Sequence, residues 1–329
     1  MTQNILLTGV NGFIAKRIAK DLLAKGHHVC GSLRSPSREA EVRAALADPE
    51  NLSFTTLDLS KDAGWAEAMA GRDVLMHTAS PFPLENPKSE DELIRPAVDG
   101  TLRALKAAQA ARVTRVILTS SVVAMIHADR PKGHLYGPKD WTDLDHPTAR
   151  AYVKSKTLAE RAAWDFVANH PEMKLTVINP GFVMGRPVDN RYGASLSLVE
   201  RIVSGKDPAV PDVGFPAADV KDVSRLHVDA IDLPGTIGKR IVAANDYMTM
   251  PQMAAILKDA YPKQRISTRV APVWLMKILG LFDAEVKSAI QLVGFHTPTD
   301  NSETRELYGM EFIPARDALL ASADAVLNT

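Results

Sequence analysis

The sequence has little of several features that mark particular classes of protein. It contains one cysteine, Cys30, among 329 residues, which excludes an internal disulfide and fits a reducing compartment. No apolar run approaches the roughly 18 residues that a membrane span needs, and the N-terminus lacks the basic and apolar regions of a signal peptide. We therefore expect a soluble, cytoplasmic protein with no membrane partner.

Charge of either sign is not in excess, because 39 Lys and Arg balance 39 Asp and Glu. Nothing in this balance favours a nucleic acid or an anionic surface as a partner, so a small molecule is expected. The nine histidines are scattered, with no H-E-x-x-H motif and no cysteine pair. We therefore predict no metal site. The sequence leaves open whether the protein is a monomer or a homodimer.

Short apolar runs alternate with longer amphipathic stretches over the first 180 residues, which is the pattern of βαβ units. The predicted strands are 5–8, 28–33, 52–57, 74–78, 115–119 and 174–179. The predicted helices are 13–25, 39–46, 63–69, 90–111 and 148–169. This alternation predicts an α/β fold with a Rossmann-type, doubly wound parallel sheet.

The regular alternation of apolar and amphipathic stretches ends after Pro180, where prolines and glycines interrupt the apolar runs. The stretches "DVKDVSRLHVDAI" and "GKRIVAAND" look like a return to the sheet, and the rest of the chain reads as short helices. We expect a cofactor-binding Rossmann domain of residues 1–179 plus 217–245. Residues 180–216 plus 246–329 are expected to form a smaller, mostly helical substrate-binding lobe.

The N-terminal stretch "NILLTGVNGFIAKRIAKDLLAKGH" reads as a strand, a glycine turn and a helix. Gly9 and Gly12 permit a tight turn and close approach to a pyrophosphate, which would lie at the start of the helix, beside Phe13 and Ile14. The third small residue of this pattern is Ala15. The alternative is a turn that needs glycine for its geometry alone.

The end of the second strand indicates which dinucleotide is bound. A cofactor with a free ribose 2′-hydroxyl usually meets a carboxylate there, whereas "GSLRSPSR" has none and offers Arg34 and Arg38. Guanidinium groups suit a 2′-phosphate, so NADP(H) is favoured, unless both arginines belong to a solvated loop. Asp58 and Leu59 follow the third strand, where an adenine could be contacted. A helix N-cap competes for that aspartate.

Groups able to move a proton converge at the carboxyl ends of the later strands, where ligands lie in open α/β sheets. Ser120 and Ser121 follow the fifth strand in "LTSSVVAM", and strand alternation points only one of them into the crevice. Tyr152 and Lys156 are four residues apart and therefore share one face of the next helix. The spacing alone carries little weight, but its context favours a catalytic site.

Seven motifs, in this order, resemble those of the extended short-chain dehydrogenase/reductases, and more narrowly their dihydroflavonol 4-reductase-like branch. The motifs are "TGVNGFIA", "LRSP", "HTASP", "VDGTLRAL", "ILTSSV", "YVKSKTLAERAAW" and "NPGFVMG". The resemblance implies that Ser121, Tyr152 and Lys156 form a catalytic triad. It also implies that Arg34 meets the 2′-phosphate.

The residues expected to bind the cofactor come from the glycine turn, the arginines, the strand ends, the catalytic helix and the "NPGFVMG" motif. They are Gly9, Gly12, Phe13, Ile14, Arg34, Arg38, Asp58, Leu59, Thr78, Ala79, Ser80, Tyr152, Lys156, Pro180, Gly181 and Val183. Two positions depart from the family pattern. Glu41 stands where some relatives have a basic residue, so Arg38 would have to compensate, and Asp99 stands where an asparagine is common.

The expected chemistry is hydride transfer from the reduced nicotinamide to a carbonyl carbon. Negative charge then grows on the carbonyl oxygen, where Ser121 would donate a hydrogen bond and Tyr152 would act as general acid. Lys156 is expected to bring the pKa of Tyr152 towards working pH and to hold the ribose hydroxyls.

The predicted substrate pocket is mostly apolar, which suits a hydrophobic or aromatic ketone or aldehyde. Its candidate residues are Phe82, Val122, Met125, Ile126, Phe182 and Met184, with Tyr192 and Phe215 as possible additions. We therefore expect an NADPH-dependent carbonyl reductase, which is also a reversible alcohol dehydrogenase. The alternatives are a nucleotide-sugar epimerase or dehydratase of the same fold, or a non-catalytic NADP-sensing protein.

Overall fold

A computed structural model describes residues 1–80, 89–282, 286 and 290–328. The strands are β1 (Asn4–Thr8), β2 (His28–Leu33), β3 (Leu52–Thr56), β4 (Val74–His77), β5 (Arg115–Thr119), β6 (Lys174–Pro180), β7 (Phe182–Met184), β8 (Gly214–Asp219), β9 (Arg240–Ala243) and β10 (Tyr247–Thr249). The helices are α1 (Phe13–Ala24), α2 (Glu39–Ala45), α3 (Trp65–Met69), α4 (Asp91–Ala110), α5 (Ala151–Ala168), α6 (Ala194–Val203), α7 (Val220–Asp229), α8 (Met250–Ala260), α9 (Val273–Leu279), α10 (Ser302–Tyr308) and α11 (Ala315–Leu327).

Seven parallel strands form the main sheet in the order β3-β2-β1-β4-β5-β6-β9. Their side chains alternate between two buried faces. Leu7 faces a core shared with α1, α2 and α7, and Leu6 faces a second core shared with α3, α4 and α5. Burial on both faces explains why these strands read as nearly continuous apolar runs. The predicted Rossmann-type sheet is confirmed, and the six predicted strands match the observed bounds to within one residue.

A second, three-stranded sheet has the order β10-β8-β7. Strand β7 pairs in parallel with β8, and β8 pairs antiparallel with β10. Helices α6, α8 and α11 pack on this sheet around a core that contains Met184, Met248, Met250 and Met253. The flexible methionine side chains therefore fill the interior of this smaller lobe.

The chain crosses between the two sheets near its C-terminus. The Thr304 hydroxyl donates to the carbonyl of Val242 at 3.1 Å, and the Tyr308 hydroxyl donates to that of Leu226 at 3.1 Å. Residues 301–312 therefore pack on the main sheet, although the predicted division groups them with the smaller lobe. That division stays a prediction. No helix within the described ranges combines the length and the apolar character that a membrane crossing requires.

Candidate active site

The glycine turn after β1 allows another segment to approach closely. Gly9 has φ of +68°, and a Cβ there would lie 3.0 Å from the Cα of Ala79. The Gly9 amide donates to the Ser32 hydroxyl at 3.0 Å, and the Gly12 amide donates to the carbonyl of Gly9 at 2.9 Å. Glycine at position 9 is thus required both by its backbone angle and by the chain that passes over it.

Helix α1 begins directly after this turn with its first amides uncapped. Gly12 is its N-cap, no side chain of the described residues caps it, and its first turn holds no acidic residue. Phe13 and Ile14 are half-buried at this end. Uncapped amides and the positive end of the helix dipole favour an anion such as a phosphate.

The two arginines after β2 differ in their surroundings. Arg34 is exposed, and its positive charge contributes to the lowered pKa of Asp58. Arg38 donates through Nη1 to Glu41 Oε2 at 2.8 Å, and Nε of Arg191 lies 2.9 Å from Glu41 Oε1. Glu41, which departs from the family pattern, is therefore neutralised from two sides. One of its partners comes from a segment 150 positions away.

Asp58 and Leu59 follow β3 and are both half-buried. The Asp58 carboxylate accepts from the Ser60 amide at 2.9 Å and from the Ser60 hydroxyl at 2.7 Å. These two hydrogen bonds lower the pKa of Asp58. Leu59 lies under Gly100 of α4, where a Cβ would come within 3.0 Å of the leucine side chain. The local turn therefore uses one oxygen of Asp58, and a contact of either residue with adenine stays a prediction.

The end of β4 is held against β1 by the Thr8 side chain. The amides of Thr78 and Ala79 donate to the Thr8 hydroxyl oxygen at 3.1 and 3.0 Å, and the Thr78 hydroxyl donates to the Thr8 carbonyl. The Thr8 hydroxyl also lies 2.9 Å from Nδ1 of His77. Thr78, Ala79 and Ser80, all half-buried, thus lie at the rim of the sheet beside the glycine turn.

The predicted triad residues converge at the ends of β5 and α5. The Ser121 hydroxyl hydrogen bonds with the phenol of Tyr152, and Lys156 lies one turn further along the same helix face. Ser121 also lies 3.4 Å from the carbonyl of Pro180. The adjacent Ser120 turns away and donates to Glu160 Oε2 at 2.5 Å. Strand alternation thus places Ser121, and not Ser120, against the tyrosine.

Burial shifts the titration of both residues on α5. It raises the pKa of Tyr152, although the hydrogen bond with Ser121 opposes the shift. Burial lowers the pKa of Lys156 to about 8, and the negative charge of Glu160 opposes that shift. The pKa of Tyr152 is therefore raised and not lowered as expected, because removing the phenolate from water costs more free energy than the hydrogen bond with Ser121 returns.

The segment after β6 passes very close to β8. A Cβ on Gly181 would lie 2.2 Å from the carbonyl oxygen of Pro216, so no other residue fits without moving the backbone. The Gly181 amide donates to the Ala243 carbonyl at 3.1 Å. Pro180 ends β6, and the side chain of Val183 on β7 is buried. The three residues of this motif that are predicted to bind cofactor thus cross from the main sheet to the second one.

The predicted substrate residues divide into two groups, apart from Phe82, which lies outside the described residues. Val122, Met125 and Ile126 pack in a small buried cluster after β5, and Met184 is fully buried in the core of the smaller lobe. Their side chains take part in packing, so a contact with substrate from them stays a prediction.

The second group has accessible surface. The half-buried Phe182 stacks on Phe215, with ring centroids 4.9 Å apart and an angle of 18° between the planes. The Tyr192 hydroxyl donates to Glu200 at 3.1 Å. These three aromatic rings are the candidates that can line an accessible apolar surface.

A profile of the NAD dependent epimerase/dehydratase family matches residues 5–243. The chain belongs to the NAD dependent epimerase/dehydratase family. Within it, the chain is similar to the NADPH-dependent methylglyoxal reductase of Saccharomyces cerevisiae, with 29% identity over 79% of this chain and 83% of that protein. It is also similar to an anthocyanidin reductase of Vitis vinifera, with 30% identity over 80% of this chain and 82% of that protein.

The fold of this epimerase/dehydratase family member also resembles solved structures. The crystal structure of the yeast methylglyoxal/isovaleraldehyde reductase complexed with NADPH superposes with a TM-score of 0.83. The two sequences are 27% identical, and the match covers 99% of this chain and 98% of that one. The predicted resemblance to dihydroflavonol reductase-like enzymes of this family is therefore confirmed.

The sequence-based prediction does not include Glu160, which contacts the site from behind. A usable signal exists, because Tyr152, Lys156 and Glu160 are each four residues apart and share one helix face. His227 has both ring nitrogens hydrogen bonded, one to the Thr119 hydroxyl and the other to the Val223 carbonyl, at 2.7 Å each. No group of three or more potential metal ligands occurs in the part of the chain that the structure describes.

Proposed function

We propose that this protein is an NADPH-dependent carbonyl reductase that acts on hydrophobic or aromatic ketones and aldehydes, with Tyr152 as the proton donor. The observation that carries the proposal is the contact of Tyr152 with Ser121, with Lys156 one turn away, at the carboxyl end of the main sheet. This is the crevice where open α/β sheets bind their ligands. The relatives named as NADPH-dependent reductases support the same activity.

The described residues fit a dinucleotide phosphate. The glycine turn and the uncapped start of α1 suit its pyrophosphate, and the exposed Arg34 suits its 2′-phosphate. Arg38 would add to this site only by sharing its guanidinium with Glu41. Lys156 and Tyr152 would hold the nicotinamide ribose. When bound, NADPH would supply the hydride.

The side chains of the triad would handle the proton and the developing charge. The raised pKa keeps the phenol of Tyr152 protonated near neutral pH, which is the form that a proton donor needs. The Ser121 hydroxyl would share the negative charge on the carbonyl oxygen. Lys156, with a pKa of about 8, is largely protonated near neutral pH and would stabilise the phenolate that remains after proton transfer.

The substrate class is inferred from the aromatic residues near the site. Phe182 and Phe215 form an accessible stacked pair, and Tyr192 is half-buried. Flat apolar side chains of this kind favour a hydrophobic or aromatic substrate. A dehydratase would be expected to carry an acid beside the catalytic hydroxyl, but Val122 and Val123 follow Ser121.

The test is to incubate the purified protein with NADPH or NADH and a panel of aromatic and aliphatic aldehydes and ketones, following the absorbance of the reduced nicotinamide. We expect turnover with NADPH and slower turnover with NADH. Failure to reduce any carbonyl with either cofactor would refute the reductase, and faster turnover with NADH would refute the role of Arg34.

The predicted domain division and the predicted cellular location are also part of this proposal. The division into a cofactor-binding domain and a smaller substrate-binding lobe would have its boundary where β6 of the main sheet is followed by β7 of the second sheet. The cytoplasmic location expected from the sequence is retained, and cell fractionation with an antibody to the protein would test it.

A further inference from the structure

A buried polar cluster lies directly behind the triad, and we name it the Glu160 cluster: Ser120, Glu160, Asn179 and Arg240. The Glu160 side chain has no exposed surface, and that of Arg240 is 7% exposed. Nε of Arg240 donates to Glu160 Oε1 at 2.5 Å. The second oxygen, Oε2, accepts from Ser120 at 2.5 Å and from the Asn179 amide at 2.7 Å. The Glu160 carboxylate on α5 therefore connects Asn179 of β6, Arg240 of β9 and Ser120, which follows β5.

Two of these hydrogen bonds connect Glu160 to the backbone that carries the reacting groups. The side-chain amide of Asn179 donates both to Glu160 and to the carbonyl oxygen of Ser121, the latter at 3.1 Å. Asn179 also directly precedes Pro180 in the predicted nicotinamide segment. Ser120 is the neighbour of Ser121 in the chain. The carboxylate therefore fixes the segments before and beside the triad serine.

The charge of Glu160 also acts on Lys156, which lies one turn earlier on α5. The two residues line a cavity of about 20 Å³ together with Ser120 and His77. Burial lowers the pKa of His77 to about 4, so this ring is neutral near neutral pH. The cavity lining from α4 and β5 is uncharged, so among the described residues the charged groups that face Glu160 are Lys156 and Arg240.

We infer that Glu160 is a positioning residue for the reaction: its carboxylate fixes the Ser121 backbone through Asn179 and Ser120, and its negative charge keeps Lys156 protonated. This inference rests on the proposed function. The donors on Oε2 serve the ion pair itself, because a buried carboxylate needs its remaining lone pairs satisfied. The link to the active site is the second hydrogen bond of Asn179, to the Ser121 carbonyl, and the cavity that Glu160 shares with Lys156.

The first test is the Glu160→Gln variant, assayed with NADPH and a carbonyl substrate that the panel has shown the wild-type protein to reduce. The amide keeps the size of the side chain but removes its charge. We expect kcat to fall about 10- to 100-fold because Ser121 and Lys156 are misplaced, with KM changed less than about threefold. The alkaline limb of the kcat profile should move about one pH unit lower. Glu172→Gln, at an exposed position at the opposite end of the sheet, is the matched control and should behave like wild type.

A purely structural role would lower the melting temperature and kcat without moving the pH profile, and that result would overturn the inference. If Glu160→Gln does not fold, the Ser120→Ala variant tests the positioning role instead, because it keeps the ion pair between Glu160 and Arg240. We expect Ser120→Ala to lower kcat about two- to tenfold, to lower the melting temperature by no more than about 4 °C, and to leave the alkaline limb unmoved. An unchanged kcat in this variant would overturn the positioning role.

A measurement that does not depend on turnover separates this inference from the proposed function. Isotope-labelled lysine side chains can be titrated by NMR in the full-length protein, with the Lys156 signal assigned from its loss in Lys156→Met. We expect a lower titration midpoint for Lys156 in Glu160→Gln than in wild type. An unchanged midpoint would overturn the electrostatic part, whereas an inactive wild type with a shifted midpoint would refute the reductase and not the Glu160–Lys156 coupling.

Discussion

Replacement of Tyr152 with Phe removes the proposed proton donor and changes little else. The ring keeps its volume, so packing on α5 is preserved, and the variant loses the hydrogen bond between the Tyr152 hydroxyl and Ser121. Loss of one such hydrogen bond costs about 1 kcal/mol of unfolding free energy, which lowers Tm by no more than about 4 °C. Loss of a general acid costs about 100- to 10,000-fold in rate, or about 3–5 kcal/mol of activation free energy.

The assay compares kcat, the affinity for NADPH and the melting temperature of Tyr152→Phe with those of wild type. We expect kcat to fall about 100- to 10,000-fold. The affinity for NADPH, measured by fluorescence, should change little because the other cofactor contacts remain. Tyr308→Phe is the matched control, since it deletes a hydroxyl that donates to the Leu226 carbonyl at 3.1 Å, outside the site. A Tyr152→Phe enzyme with more than about a tenth of the wild-type kcat would refute the assignment.

Three further results are expected. Arg34→Ala should lower kcat/KM with NADPH about 10- to 100-fold, because a charge-assisted hydrogen bond to phosphate is lost, and should leave kcat/KM with NADH almost unchanged; an equal fall with both cofactors would contradict this. Gly181→Ala should fold poorly, because its Cβ would lie 2.2 Å from the Pro216 carbonyl oxygen, whereas Gly193→Ala has open space and should match wild type in melting temperature. Burial raises the pKa of Asp222 to about 6 from 3.8, so the native state holds this proton more tightly than the unfolded chain does, and stability is lost as pH rises from about 4 to about 6. Asp222→Asn should therefore raise Tm at about pH 8 and not at about pH 4; an equal effect at both would show that the charge is not the cause.

The bound nucleotide and the reaction type could be predicted from short stretches of sequence. A glycine turn between a strand and a helix has few geometric solutions, and the absence of an acid after β2 is visible without coordinates. The pair of Tyr152 and Lys156 could be recognised because helix periodicity brings positions four apart onto one face. These features are local, so the chain order is enough to specify them.

Contacts between distant segments could not be predicted in this way. The pairing of Glu41 with Arg191 joins residues 150 positions apart, and the burial of Met125 and Met184 depends on which elements pack over them. An apolar residue near a strand end can face a pocket or a core with the same local pattern. Only the folded chain distinguishes the two.

The amino-acid sequence by itself determined the Rossmann-type fold class, the glycine turn and the spacing of Tyr152 and Lys156, because hydrophobic periodicity and the succession of elements along the chain are local features. The tertiary structure decided which of two adjacent serines meets the tyrosine, and it placed the Glu160 carboxylate behind the lysine. It also decided the direction of the tyrosine pKa, which burial raises. Burial and charge proximity are properties of the packed molecule, and they set the protonation of the site.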